Sequence, residues 1–129
     1  MRLLLDTHVL LWALAEPERL GSKARATIED PENEVLFSAA SIWEVAIKAG
    51  LGRPDFAFDP HEVTRGAVEA GFVELPVRAD ATAQVASLPL HHRDPFDRLL
   101  VAQAMAGPLR LLTADPLLPP YSELVTLIT

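Results

Sequence analysis

Asp6, Glu44, Asp97 and Asp115 are the side chains of this sequence whose type and placement point to chemistry. Gathered at one place, four ionised carboxylates repel, and at least one stays protonated unless a cation relieves the charge. Mg²⁺ or Mn²⁺ suits that task, because hard divalent ions take oxygen ligands and keep several waters. Two such ions balance four carboxylates. The reaction such a centre supports is in-line attack of a metal-activated water on a phosphodiester. One ion lowers the water's pKa and the other stabilises the leaving oxygen. The chain has no cysteine, which excludes thiolate zinc sites, disulfides and a cysteine nucleophile.

The elements must bring these acids together. Leu3 to Leu5 reads as a strand, followed by a helix from about Thr7 to Leu14. Ser22 caps a second helix to about Glu29. Glu34 to Phe37 is a strand that Ser38 ends, and Ala39 to Ala49 has helical spacing with Gly50 closing it in the left-handed conformation. Asp59-Pro60-His61-Glu62 opens a helix that Gly71 ends. Phe72 to Val77 contains an edge strand, since Pro76 cannot donate to a ladder. Asp80 caps a helix to about Leu88. Asp94-Pro95-Phe96-Asp97 opens another to about Ala106, stopped by Gly107-Pro108, and Leu109 to Thr113 and Leu124 to Ile128 are the last strands.

Strand and helix alternate, which predicts a single α/β domain: a mostly parallel central sheet flanked by helices. In such a sheet ligands bind at the carboxyl ends of the strands. Asp6 follows the first strand directly and Asp115 comes two residues after the Leu109 strand. Glu44 lies in the helix that leaves the Glu34 strand, and Asp97 lies in the first turn of the helix that leads into the Leu109 strand. The four are therefore expected to converge at one edge.

Each acid also has an ordinary structural role open to it. Asp6 suits a helix N-cap. Ser41-Ile42-Trp43-Glu44 matches a capping box, and Glu44 can pair with Lys48 one turn on. Asp94 is an N-cap before Pro95, with Asp97 a first-turn acid favoured by the helix dipole, and Asp115 before Pro116 is a turn residue. Caps alone do not require acids at all these strand ends.

Composition bounds the rest. The 129 residues carry 11 Lys+Arg against 18 Asp+Glu, a net charge of −7, which argues against simple electrostatic capture of nucleic acid. Carboxylates gathered around cations would weaken that objection, because net charge then misreports the local field. Asp6 and His8 interrupt the N-terminal apolar run, so a secretory signal is not expected, and nothing nears the roughly 18 apolar residues of a membrane span. The expectation is a soluble, cytoplasmic protein. A mean hydropathy of +0.20 suggests an apolar patch, the mark of an interface.

Four stretches carry a resemblance: Leu4-Leu5-Asp6-Thr7-His8-Val9-Leu10-Leu11-Trp12, Ser38 to Lys48, His92-Arg93-Asp94-Pro95-Phe96-Asp97-Arg98 on to Ala104, and Leu111-Leu112-Thr113-Ala114-Asp115. In these, and in their order, the chain resembles the PIN domain, and within it the VapC-type toxins of bacterial toxin–antitoxin pairs. The resemblance implies one PIN domain over residues 1–129 and a Mg²⁺/Mn²⁺-dependent endoribonuclease. It further implies two ions per active site, a homodimer and a cognate VapB-type antitoxin. Asp6, Glu44 and Asp97 match the metal-binding acids and Asp115 the more variable fourth. Asp94 is either a cap or an outer acid, and Thr7, Ser41 and Thr113 would hydrogen-bond water or carboxylates near the metals. The Leu118-Pro119-Pro120 region is more apolar than the family pattern.

Beyond the acids, Lys48, Arg93 and Arg98 lie beside the proposed site and are candidates for RNA phosphate contacts, the alternative being exposed ion pairs. His91 and His92 precede Asp94 and could contact a phosphate or orient an acid. His61 reads as a solvated helix residue and His8 as facing a helix neighbour. Trp12 and Trp43 read as core or interface anchors ahead of base-stacking platforms. Three other functions stay open at this point. A PIN nuclease of RNA processing would lack an antitoxin, and a non-catalytic module would bind no metal. A phosphotransfer or receiver-like domain shares an acid after the first strand, yet His8 stands where an Asp-x-Asp phosphatase needs its second acid.

Overall fold

A computed structural model describes residues 1–128. Five strands, β1 (Arg2–Leu5), β2 (Glu34–Ser38), β3 (Val73–Leu75), β4 (Arg110–Thr113) and β5 (Val125–Leu127), form one sheet in the order β3-β2-β1-β4-β5. Every pairing is parallel. The helices are α1 (Thr7–Ala15), α2 (Ser22–Glu29), α3 (Ala39–Gly50), α4 (Pro60–Glu69), α5 (Ala79–Gln84) and α6 (Pro95–Ala106), with 3₁₀ turns at Pro17–Leu20, Val85–Ser87 and Pro119–Tyr121. This is the α/β architecture expected, with a single parallel sheet and β3 at its edge.

Successive strand side chains point to opposite faces, and β1, apolar throughout, supplies both cores. Leu3 and Leu5 pack with Val35, Phe37, Val9, Leu10 and Val45 on one face, under α1, α3 and α4. Leu4 packs on the other with Leu36, Leu100, Val101 and Leu111, under α6. Leu118, in the apolar last loop, is fully buried in that second core, so the loop's departure from the family pattern is a packing feature. A buried polar tie links the end of β2, α6 and the segment after β3. Ser38 Oγ donates to Gln103 Oε1 (2.6 Å), and Gln103 Nε2 donates to the Pro76 carbonyl (3.2 Å).

Local details differ from expectation in four places. Ser22 is the first residue of α2, whose N-cap is Gly21, and it makes no capping hydrogen bond. The N-cap of α3 is Ser38, whose Oγ accepts from Ala40 N at 3.0 Å; Ser41 lies inside the helix, so the Ser41–Glu44 capping box does not form. Gly50 is the last helical residue and the left-handed glycine is Gly52, at φ +67°, because the chain continues one right-handed residue past the helix end. Asp80 sits in the first turn of α5, which starts at Ala79 and gives way to a 3₁₀ turn after Gln84. No helix among the described residues is long and apolar enough to cross a membrane.

Candidate active site

The parallel sheet puts the ends of β1, β2 and β4 on one edge, and the N-terminus of α6 opens there as well. Asp6 leaves β1 as the N-cap of α1. Its Oδ1 accepts from Val9 N (2.8 Å) and its Oδ2 from the Thr113 hydroxyl, which reaches across from the end of β4. Thr113 Oγ1 also accepts from Asp115 N (3.0 Å), so one hydroxyl links the first and fourth acids. Thr7 Oγ1 donates to Ser41 Oγ (3.0 Å), tying the start of α1 to α3. Asp6, Thr7, Ser41, Glu44 and Thr113 are all buried, an unusual density of polar groups for an interior.

Glu44 pairs through Oε2 with Lys48 Nζ at 2.8 Å, while Oε1 is buried with no hydrogen-bond partner. Such an orphan acceptor costs on the order of 1–3 kcal/mol or more for a charged group unless something else satisfies it. Asp94 caps α6, its Oδ1 accepting from Phe96 N (2.8 Å) and Asp97 N (3.2 Å). Both readings of Asp94 remain compatible with that contact, since its charge also bears on Asp97.

Electrostatics show which acids act on one another. Burial raises the Asp6 carboxyl above the usual range against the opposing effect of the Thr113 and Val9 donors. Asp97 is pushed up to about 7, first by burial and then by the charges of Asp94, Asp6 and Glu44, with His92 pulling the other way. Asp97 thus lies within the field of the other acids, as a convergent cluster requires. Asp115 joins through His92, whose Nε2 is 2.7 Å from Asp115 Oδ2 and 3.4 Å from Asp97 Oδ2.

The donor set fits hard divalent cations. It consists of carboxylates with no sulfur, one buried oxygen has no partner, and the mutual repulsion that lifts Asp97 is what a cation would relieve.

The cationic candidates separate. Arg93 is exposed, and Lys48 is one-third exposed beside Glu44. Arg98 corrects its expected role. Its guanidinium donates to the carbonyls of Pro89 (2.9 Å) and Val85 (3.1 Å) and to the Tyr121 hydroxyl (3.0 Å), which turns it inward to hold a loop, away from any phosphate. Adjacent helix residues point about 100° apart, so Arg98 cannot share the outlook of Asp97. Sequence reasoning missed Arg53. With Lys48, His8, Arg19 and the acids Glu16 and Asp55 it lines a groove of about 340 Å³, joined to the site through the Lys48–Glu44 pair, and no local pattern signals it. Tyr121 was also missed, because its partners lie about thirty residues away.

Trp43 is 61 % exposed and meets Phe96 edge-on at 5.2 Å, so it is no core residue. Trp12 is half-buried beneath Arg19, whose guanidinium lies 4.5 Å above its ring. His61 is exposed, and His8 faces Trp12 at 6.2 Å.

A parallel α/β sheet with buried carboxylates converging at one strand edge defines a carboxylate-centred α/β domain. Its sequence pattern matches that of the family described as PIN domain over residues 3–121, and the chain belongs to the PIN domain family. It is similar to ribonuclease VapC22 of Mycobacterium tuberculosis, with 34% identity over 116 residues that cover 87% of this chain and 85% of that one. Among solved structures it is similar in fold to a chain of VapBC2 from Rickettsia felis, crystallised on a DNA fragment from their promoter. That match has a TM-score of 0.70 at 13% identity, with 97% of this chain and 96% of the other covered. FitAcB from Neisseria gonorrhoeae matches with a TM-score of 0.50 at 22% identity, over 88% and 87% of the two chains.

Proposed function

We propose that this chain is a divalent-metal-dependent endoribonuclease, the toxin of a toxin–antitoxin pair that acts in the cytoplasm. The observation that carries the reading is the convergence of Asp6, Glu44 and Asp97, with Asp97 raised to about 7 in the field of the others. Likeness to a ribonuclease VapC over most of both chains gives that centre its substrate class. Asp6, Glu44, Asp97 and Asp115 would hold Mg²⁺ or Mn²⁺, two ions per site, as the catalytic acids. When bound, such ions neutralise the carboxylates, activate a water and stabilise charge on the leaving oxygen of a phosphodiester.

The chain's own residues set up that chemistry. Val9 N–H and the Thr113 hydroxyl fix the Asp6 carboxylate, and the Thr7–Ser41 hydrogen bond fixes α1 against α3, which carries Glu44. Asp94 holds the first turn of α6 so that Asp97 is presented to the cluster. Lys48 and Arg53, which line the groove, and the exposed Arg93, next to His92 in the chain, are the phosphate contacts. The exposed stripe of Trp43, Ile47 and Leu51, one turn apart on or just past α3, suits burial in a homodimer or under a VapB-type antitoxin. Residues 1–129 act as one PIN domain.

The test is inducible expression in a bacterial host with RNA ends mapped after induction. The expected result is growth arrest and new discrete RNA ends that vanish in Glu44→Gln and are suppressed by co-expression of a cognate VapB-type antitoxin. Unimpaired growth with an unchanged RNA end profile would contradict the toxin reading.

A further inference from the structure

The imidazole of His92 lies between two of the proposed metal acids, and three ligand-type atoms of His92, Asp97 and Asp115 lie within 4.8 Å of one another. Taken by distance alone they look like a three-ligand metal site with a histidine nitrogen in it. The other ring nitrogen argues otherwise. Asp94 N donates to His92 Nδ1 at 3.0 Å, and a backbone N–H can only donate, so Nδ1 must be the bare, accepting nitrogen. The ring proton then sits on Nε2, which points at Asp115 Oδ2 2.7 Å away. An Nε2 that carries its proton has no lone pair for a metal.

Asp115 needs such a donor. It lies beyond the last residue of β4, where only the turn holds its carboxylate. Leu117 N donates to its Oδ1 (2.9 Å), and His92 Nε2 supplies the hold on Oδ2. Each carboxylate oxygen keeps a further lone pair, so the clamp orients the acid without using it up.

His92 is itself fixed from behind. The amides of His91 and His92 donate to the Tyr121 hydroxyl oxygen (3.0 and 2.8 Å), and Arg98 Nη1 reaches the same oxygen at 3.0 Å. Arg98 also binds the carbonyls of Val85, Pro89 and, at 3.4 Å, His92. The helix that presents Asp97 therefore builds, through its next residue, the loop that presents His92.

We infer that His92 is a positioning residue, held as its Nε2–H tautomer by the Asp94 amide and by the Arg98–Tyr121 hub. Its role is to orient Asp115 toward Asp97, and it is not itself a metal ligand. The inference rests on the metal-centre reading above for its purpose, though not for the tautomer. Loss of an outer partner that orients a ligand lowers metal affinity by about 10–100-fold, and that is the effect expected here.

Two measurements on the full chain decide it. In ¹⁵N-labelled protein the His92 ring resonances, assigned by their loss in His92→Gln, are followed in EDTA and in saturating Mg²⁺. The expected result is a bare Nδ1 and a protonated Nε2 in both; a bare Nε2 in Mg²⁺ would make His92 a ligand and overturn the inference. Mn²⁺ titration calorimetry then compares wild type, His92→Gln, His92→Ala and Tyr121→Phe, with folding checked by circular dichroism. His92→Ala is expected to bind Mn²⁺ at least about 10-fold more weakly, Tyr121→Phe to fall between, and His92→Gln, which keeps an N–H donor, to recover most of the loss. Equal affinity in wild type and folded His92→Ala would refute the positioning role. If His92→Ala does not fold, Tyr121→Phe and His92→Gln carry the comparison. A wild-type chain that binds no Mn²⁺ would remove the metal centre, and the EDTA spectrum alone would then decide the tautomer.

Discussion

Replacing Asp97 with Asn should make the metal-free protein more stable at pH 8 while leaving it nearly unchanged near pH 4. The Asp97 carboxyl titrates at about 7 in the folded chain against its ordinary 3.8. Between those values the folded state holds a proton that the unfolded state has released, so stability falls as pH rises through the window and levels off above about 7. Each pH unit of that separation corresponds to about 1.4 kcal/mol, which sets a ceiling of about 4 kcal/mol on the cost of ionising Asp97. Its side chain is 18 % exposed, so little of this is lost to solvent screening. Asn removes the ionisation but weakens the contact with His92, worth about 1 kcal/mol. The net gain expected at pH 8 is therefore about 2–3 kcal/mol, a rise of about 1 M or more in the urea midpoint. Urea denaturation in EDTA at pH 4, 6 and 8 reads it directly. The reasoning fails if the two proteins unfold together at pH 8, or if the gap between them is widest at pH 4.

Mg²⁺ should close that gap by relieving the repulsion in the wild type. At a hundredfold excess over its dissociation constant it should add about 2.7 kcal/mol, and thermal melts with and without chelator should show no comparable rise for Asp97→Asn. Leu4→Ala should cost about 2–5 kcal/mol, because Leu4 is fully buried in the core beneath α6; denaturant melts that move by less than about 1 kcal/mol would refute that packing. Ser38→Ala should cost about 1–3 kcal/mol, since it removes the α3 cap and strands Gln103 Oε1. Amide exchange should quicken selectively in the first turn of α3, and uniform quickening across the sheet would contradict a local cap.

The acids were legible in the sequence because their placement follows from topology. Once strand and helix alternate, the sheet is parallel, and Asp6, Asp97 and Asp115 must share an edge whatever their separation along the chain. Glu44 was legible through the same logic, although the local pattern Ser41-x-x-Glu44 pointed to a capping box. The earlier Ser38 ends its strand and takes the cap, which turns Ser41 inward toward Thr7. Arg98 departs from its expected role for a related reason, while His92 takes the acid-facing place that was one of its two readings. Proximity in sequence to Asp97 says nothing about direction on a helix, and Arg98 points into the loop while His92, five residues before the acid, swings back to touch it. Tyr121 and Arg53 were illegible because their partners come from distant segments that only the folded chain brings close.

The most direct test of a metal-dependent ribonuclease is incubation of purified, antitoxin-free protein with total cellular RNA in Mn²⁺, in Mg²⁺ and in EDTA, beside Asp6→Asn. Asp6 is buried and held by Val9 N–H and the Thr113 hydroxyl, and its loss should reduce cleavage by at least about 100-fold, a share of the barrier that metal-ion catalysis carries. Discrete fragments that need the metal and disappear in the variant are the predicted result. Cleavage that persists in EDTA, or that Asp6→Asn leaves undiminished, would contradict it.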